Sequence, residues 1–213
     1  LFLPKTGTPP YQTVVYFPGG YGQLLRSSRD APLLDVEFLI RSGRAVMYPI
    51  YKGTYERIDP TPTGANYRDL AVARMKDAER SLDYLVTRPD IDKGRLAFMG
   101  VSLGASTAVR MAAIDPRLKT TVLMGAGLPA AKFPPEIDQL NFAPRVRIPI
   151  LMVNGRSDFT NDYETAQLAL FRLFGVPNDR KNLVTYEGGH IPPRFHEVIR
   201  TVIDWFDKYL GTT

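Results

Sequence analysis

Two kinds of segment alternate along the 213-residue chain. Runs such as Leu-Ala-Phe-Met at 96–99, Thr-Val-Leu-Met at 121–124 and Ile-Leu-Met-Val at 150–153 are apolar at almost every position. Parallel strands covered on both faces have that pattern. Between such runs, apolar residues recur at spacings of three and four, the period of an amphipathic helix. The pattern predicts six strands, at residues 12–17, 45–51, 95–101, 120–124, 150–154 and 182–186. It predicts helices over residues 31–42, 67–87, 104–114, 163–174 and 194–210. Leu34, Phe38 and Leu39 share a face of the first helix, and Gly43 stands where glycine ends many helices. Leu70, Met75, Ala78, Leu82 and Leu85 are apolar positions of the longest helix. Val198, Val202, Trp205, Phe206 and Leu210 stripe the last. Residues 52–66, with Pro60, Pro62 and Gly64, form a loop, and residues 127–148 a proline-rich connection. Strands alternating with helices mean parallel strands joined by crossover helices. The expected class is α/β, with the whole chain as one domain.

Composition narrows the function classes. Hydrophobic residues make up 44% and charged residues 23%, ordinary for a globular domain and unlike a disordered or coiled-coil chain. The absence of cysteine excludes a disulfide scaffold, thiolate metal sites and a cysteine nucleophile. A cytoplasmic place is favoured, and a secreted one stays open. No apolar run approaches the ~18 residues of a membrane span. The net charge of +5 is spread without a basic stripe, so no nucleic-acid or membrane partner is expected. Prolines number 18, about 8% of the chain against a typical ~5%, and four of them fall between Pro129 and Pro144. They mark the expected pocket rim. The chain begins at Leu1, which suggests trimming, processing or a longer parent.

The chemistry-bearing residues sit at strand ends. Gly100-Val101-Ser102-Leu103-Gly104 fits the G-x-S-x-G nucleophile elbow, with a strand before it and a helix after it. Such a turn strains the serine backbone and lifts its hydroxyl off the sheet. Both glycines must be small, since side chains there would collide across the turn. Ser102 also stands at a helix N-terminus, where the dipole favours developing negative charge. A serine needs a base, and the base needs an orienting acid. With this elbow they follow in the order serine, acid, histidine. Of the two histidines, His190 follows the last strand through Gly188-Gly189, whereas His196 falls inside the final helix. His190 is therefore the expected base. Asp158, in the loop after the penultimate strand, is the expected acid, with Asp162 and Glu187 as alternatives. Oxyanion donors are expected from the backbone N–H of Leu103 and from Gly20, or next Tyr21, in the loop after the first strand.

In that order, Pro-Gly-Gly at 18–20, the elbow, Asn-Gly-Arg-Ser-Asp at 154–158 and Gly-Gly-His at 188–190 resemble the α/β-hydrolase fold over nearly the whole chain. The resemblance is closest to its dienelactone-hydrolase-like and prolyl-oligopeptidase-like branch. Residues 140–146, 153–159 and 186–190 look like the hydrolase domains at the C-terminal end of some bacterial serine/threonine protein kinases. The resemblance implies an esterase-like activity with Ser102 as nucleophile, His190 as base and Asp158 as orienter. Many relatives have histidine where this chain has Pro18, and the full fold has two further strands before the first one visible here. The expectation is a sheet of about six strands that lacks those two, with an exposed edge open to homodimer pairing.

Other motifs fail. Gly125-Ala126-Gly127-Leu128-Pro129-Ala130 matches a dinucleotide fingerprint in form, but Pro129, Pro134 and Pro135 forbid the long helix it needs. Neither cofactor nor metal is called for. The 127–148 segment and the 51–66 loop are the expected pocket walls, with Tyr51, Tyr55, Phe133, Phe142 and Phe159 as candidate linings. A cap this short leaves an open, shallow site. The expected reaction is hydrolysis of a small-molecule carboxylic ester with a small acyl group, through an acyl-enzyme. A peptidase or amidase of the same fold, and a non-catalytic ligand-sensing module, are the alternatives.

Overall fold

The computed structural model describes residues 1–58, 67–191 and 195–213. Its strands are β1 (Tyr11–Phe17), β2 (Ala45–Met47), β3 (Ile91–Val101), β4 (Leu118–Met124), β5 (Ile150–Gly155) and β6 (Lys181–Tyr186). They form one sheet in the order β2-β1-β3-β4-β5-β6, and every neighbouring pair is parallel. The order reverses at β1, which has β2 on one side and β3 on the other. The chain segments after β1 and β3 therefore part to opposite faces, and a crevice opens at the carboxyl ends of those strands.

The helices are α1 (Leu34–Arg41), α2 (Tyr67–Thr87), α3 (Leu103–Ile114), α4 (Gln139–Phe142), α5 (Ala169–Leu173) and α6 (Phe195–Leu210). Strand side chains alternate between two cores. Val15, Phe17, Phe98, Leu123 and Met152 pack against Ala78, Leu82 and Leu85 of α2, Ala108 and Val109 of α3 and Leu170 of α5. Val14, Tyr16, Met99, Val122 and Leu151 point the other way, onto Val36 and Leu39 of α1 and Val198, Val202, Trp205 and Phe206 of α6. Each large apolar side chain so buried contributes ~1.5–3 kcal/mol. One buried cation holds the second layer to the sheet edge. The Arg44 side chain has no exposed surface, and its guanidinium donates to Asp207 of α6 at 2.5 Å and to Gln12 of β1 at 3.1 Å.

All six expected strands and the stripe of the final helix are present. The boundaries differ for physical reasons. β2 stops at Met47 rather than Tyr51: Pro49 has no N–H to give a ladder, and the chain turns so that Tyr51 stacks on Phe17 at 4.6 Å between ring centroids. β3 starts at Ile91, four residues early, where Ile91 pairs with Tyr11 ahead of a register shift. Tyr163–Leu168 is wound more widely than an α-helix, and α5 follows it. Gly43 ends α1 with φ +88° while its N–H and that of Arg44 return to Ile40 and Leu39. The edge of β2 carries one antiparallel bridge, Phe2 to Val46. The 59–66 part of the expected loop and the Arg194 start of the last helix lie outside the described residues.

One tight crossing joins α3 to β1. A Cβ on Gly104 would lie 2.0 Å from the Phe17 carbonyl oxygen and 2.9 Å from that of Pro18. The obstacle is the β1 backbone rather than the opposite arm of the elbow, as the motif alone suggested. Gly104→Ala is expected to lower unfolding stability by about 3 kcal/mol, the upper end for overpacking, because backbone must shift. Denaturant unfolding of both proteins measures it, and an unchanged midpoint would contradict this account.

Candidate active site

Ser102 sits between β3 and α3 with φ +51° and ψ −109°. Such a conformation costs a non-glycine residue ~1–3 kcal/mol. Its N–H donates to the Met124 carbonyl at 2.8 Å and fastens the turn to β4. A Cβ on Gly100 would lie 2.3 Å from the Gly104 carbonyl oxygen, so the elbow closes only over a bare Gly100.

Two loops converge on Ser102 from the far side of β4. The loop after β6 carries His190. It folds across β5 because Gly155 is bare; a Cβ there would lie 1.8 Å from the Gly189 carbonyl oxygen. The Arg156 N–H donates to the Tyr186 carbonyl at 2.8 Å and the Ser157 N–H to that of Gly188 at 2.9 Å. Those bonds fix the β5 and β6 loops to each other. The second loop carries Asp158, whose side chain is wholly buried. Asp158 Oδ1 accepts the N–H groups of Thr160 at 2.7 Å and Asn161 at 3.1 Å. Its Oδ2 lies 2.8 Å from His190 Nδ1, and His190 Nε2 lies 2.7 Å from Ser102 Oγ. With both Asp158 oxygens acting as acceptors, Nδ1 carries the imidazole proton. Nε2 is then left to accept the Ser102 O–H.

The structure thus brings Ser102, His190 and Asp158 together. Asp162 is spent elsewhere: its carboxylate caps the following helix through the Thr165 N–H at 2.8 Å, which holds its pKa below the usual range. Glu187 and His196 are exposed. Gly20 and Tyr21 open a short helical turn, Gly20–Gln23, and Leu103 opens α3. Amides in a first turn have no intrahelical acceptor. The loop passes close to Ser102: a Cβ on Gly19 would lie 3.5 Å from Ser102 Cβ.

Three supporting residues were given no part by the motifs, although Asn154 opens the Asn-Gly-Arg-Ser-Asp run. Asn154, at the end of an apolar strand, has no exposure and bridges to Ala126 through both its amide atoms, at 2.6 and 3.3 Å. Asn161 donates to the Gly125 carbonyl at 3.1 Å. Gln167 donates to Gly155 and Asn161 carbonyls at 2.9 and 2.8 Å. A polar side chain closing an otherwise apolar strand was the one available signal, at Asn154.

Ser102 borders two cavities. One, of about 210 Å³, is lined by polar and apolar groups alike and is walled by Leu103, Ser106, Arg110, Phe133, Gln139 and Asn161 among others. The other, of about 430 Å³, is mostly apolar and runs between α1 and α6, past Tyr16, Phe38, Met99, Met124, Val198 and Ile199. His190, Gly20 and Tyr21 border the larger one. The cavity linings differ from those expected. Phe133 and Pro129 of the proline-rich segment do line the smaller cavity. Tyr51, Tyr55 and Phe142 are buried in packing, and Phe159 points into solvent. The larger cavity arises from α1 and α6, whose apolar stripes read as core alone.

Over residues 4–172 the chain matches the dienelactone hydrolase family. That stretch contains Ser102 and Asp158 and ends before His190. Among solved structures, a cold-adapted esterase from an Arctic intertidal metagenomic library, in complex with polyethylene glycol, is similar with a TM-score of 0.77 and 19% identity. The match covers 98% of this chain and 86% of that one. Acetyl xylan esterase from Paenibacillus sp. R4 has a TM-score of 0.74 and 20% identity, over 98% of this chain and 78% of that one. Est1E from Butyrivibrio proteoclasticus, bound to ferulic acid, has a TM-score of 0.75 and 16% identity, over 99% and 94%. These likenesses establish the shared α/β-hydrolase fold. No helix of the described residues is long and apolar enough to cross a membrane.

A proton held between His190 Nδ1 and Asp158 has a spectroscopic consequence. The proton NMR spectrum is expected to contain a far-downfield imidazole N–H resonance. It should vanish in Asp158→Ala and persist in Asp162→Ala. Loss of the signal in the Asp162 variant instead would reassign the acid.

Proposed function

The chain belongs to the dienelactone hydrolase family, whose namesake substrate is a cyclic ester, and we propose that it is a serine hydrolase cleaving carboxylic esters with small acyl groups. One observation carries the reading: two short hydrogen bonds run in series from Ser102 through His190 to the buried Asp158. Nucleophilic catalysis by a hydroxyl needs that order of groups and that tautomer.

Ser102 Oγ attacks the ester carbonyl carbon as its proton passes to His190 Nε2. Asp158 accepts the Nδ1–H throughout, which keeps the ring oriented and stabilises the imidazolium. The carbonyl oxygen becomes an oxyanion, facing the Leu103 N–H and that of Gly20 or Tyr21. A donor of this kind is worth ~10²–10³-fold in rate. Collapse breaks the bond to the alcohol oxygen, which takes the proton from Nε2 and leaves. Water then attacks the acyl-enzyme with His190 again as base, releasing the acid and restoring Ser102. Proton transfer at these two steps is worth ~10²–10⁴-fold.

The cavities support an assignment of the two substrate halves. The leaving oxygen must lie within hydrogen-bond reach of Nε2. Only the larger of the two borders His190, so the alcohol occupies it. The acyl group then takes the smaller cavity, whose 210 Å³ equals about seven waters' share of liquid volume. That size favours short acyl chains.

Hydrolysis of p-nitrophenyl acetate and butyrate tests the proposal. Ser102→Ala is expected to lower kcat/KM by about 10³-fold or more on both esters, and the parent should turn over the butyrate faster than a long-chain ester. Full turnover by the variant would remove Ser102 from the mechanism. Faster cleavage of the matching anilides than of the esters would favour an amidase.

A further inference from the structure

The larger cavity holds one feature that ester cleavage does not use. Asp35, in the first turn of α1, lies on its wall together with the apolar side chains already named. Among the described residues Asp35 is the single acidic one on that wall, and neither lysine nor arginine lines it. Tyr16 and Tyr21 donate their hydroxyls to the same oxygen, Asp35 Oδ2, at 3.1 and 2.6 Å. Among the described residues no cationic nitrogen pairs with either oxygen. Oδ1 has no hydrogen-bond donor there either.

A half-buried carboxylate in an apolar chamber needs compensation. Two tyrosine hydroxyls and the N-terminal end of α1 supply part of it. Burial drives the pKa of both tyrosines upward, so each remains a donor and carries no charge of its own. No counter-charge comes from the described protein. The rings of Tyr21 and Phe38 stand on the same wall, with Tyr16 almost wholly buried beside them, and aromatic faces attract cations. A polyol would meet one acceptor among apolar surfaces and leave its other hydroxyls unpaired. A cation satisfies the carboxylate and the rings together.

We propose that the larger cavity selects esters whose alcohol carries a cationic ammonium group, with Asp35 as its counter-charge and Tyr21 and Phe38 as its aromatic wall. The assignment rests on the reading of Ser102 as nucleophile and of this cavity as the alcohol site.

The test pairs butyrate esters of trimethylammonio-alkanols, over a series of spacer lengths, with their uncharged carbon analogues ending in tert-butyl. The two differ in charge and scarcely in shape. The parent is expected to prefer the best cationic ester about tenfold or more in kcat/KM, the size of a partly desolvated cation–π and ion-pair contact. Asp35→Asn should bring the ratio near one, and Asp35→Glu should keep a preference. Asp35 also holds Tyr21 beside the nucleophile. A purely structural effect would slow both esters alike and leave the ratio unmoved. Equal rates in the parent, a preference that survives Asp35→Asn, or a stronger preference for hydroxyl-ended alcohols would overturn the proposal. Calorimetry with an alkyl-trimethylammonium ion separates this inference from the catalytic one. If no ester is cleaved, binding to the parent that is lost in Asp35→Asn still supports the site. Absence of binding to the parent overturns it.

Discussion

The close approach of α3 to the end of β1 is the contact on which the site depends. Bare Cα atoms at Gly100 and Gly104 let the chain reverse from β3 into α3 against the Phe17 and Pro18 carbonyls. Two consequences follow from that one crossing. Ser102 is forced to φ +51°, which lifts its hydroxyl off the sheet. The loop after β1 is brought alongside, with Gly19 in van der Waals range of Ser102 Cβ. The elbow serine and the loop after β1 are therefore set by one backbone contact, at the point where the strand order reverses. Any side chain at Gly104 would separate them together.

The rest of the site is held from the opposite side of β4 and depends on a different set of constraints. Gly155 allows the β6 loop to cross β5, and backbone bonds from Arg156 and Ser157 hold the two loops in register. Buried Asn154 and Gln167 satisfy carbonyls that the crossing would otherwise strand. An unsatisfied buried polar group costs ~1–3 kcal/mol, so Asn154, bonded through both amide atoms, contributes by removing a penalty more than by adding a bond, whereas Gln167 leaves its own Oε1 without a partner among the described residues. The far wall of the larger cavity is set further away still. Arg44 ties Asp207 of α6 to Gln12 of β1, and Trp205 donates to Thr120 of β4 at 2.8 Å. The position of α6 against the sheet decides how wide the chamber beside Ser102 is.

These layers differ in how legible they are from the amino-acid order. The strands at 96–99, 121–124 and 150–153 are readable because burial on both faces leaves an unbroken apolar run. Ser102, Asp158 and His190 are readable because a strained elbow demands glycines at fixed offsets and the chain order of the partners follows. The end of β2 was less clear, since Tyr48 and Tyr51 look as strand-like as Val46; only tertiary packing draws Tyr51 onto Phe17. The larger cavity was not readable at all. It forms where α1 and α6 fail to meet, between segments far apart in the chain, and local periodicity reports only that each has an apolar face. Asp35 is hidden for the same reason: on a short exposed helix a first-turn aspartate reads as ordinary helix-terminus chemistry.

The two halves of the site carry different tolerances. Ser102 stores ~1–3 kcal/mol of backbone strain, and strain of that size persists only where the surroundings over-determine the conformation. Here they do: the Ser102 N–H is fixed to Met124, its Oγ meets His190, and His190 is fixed in turn by a carboxylate with three hydrogen bonds to its two oxygens. The backbone crossing and the Ser102 N–H bond hold the strained conformation, and the side-chain bonds aim its hydroxyl, so these positions can vary little. The cavities face no such demand. Their walls include side chains of α1, α6 and the 127–148 segment, which bond to the loop after β1 and to α3 but not to Ser102, His190 or Asp158. Under the proposed assignment, substitution there changes which acyl group and which alcohol fit while the hydrogen-bonded chain from Ser102 to Asp158 is left intact. Chemistry and specificity in this fold are thus separable, because one is fixed by backbone crossings and the other by the faces of helices packed over them.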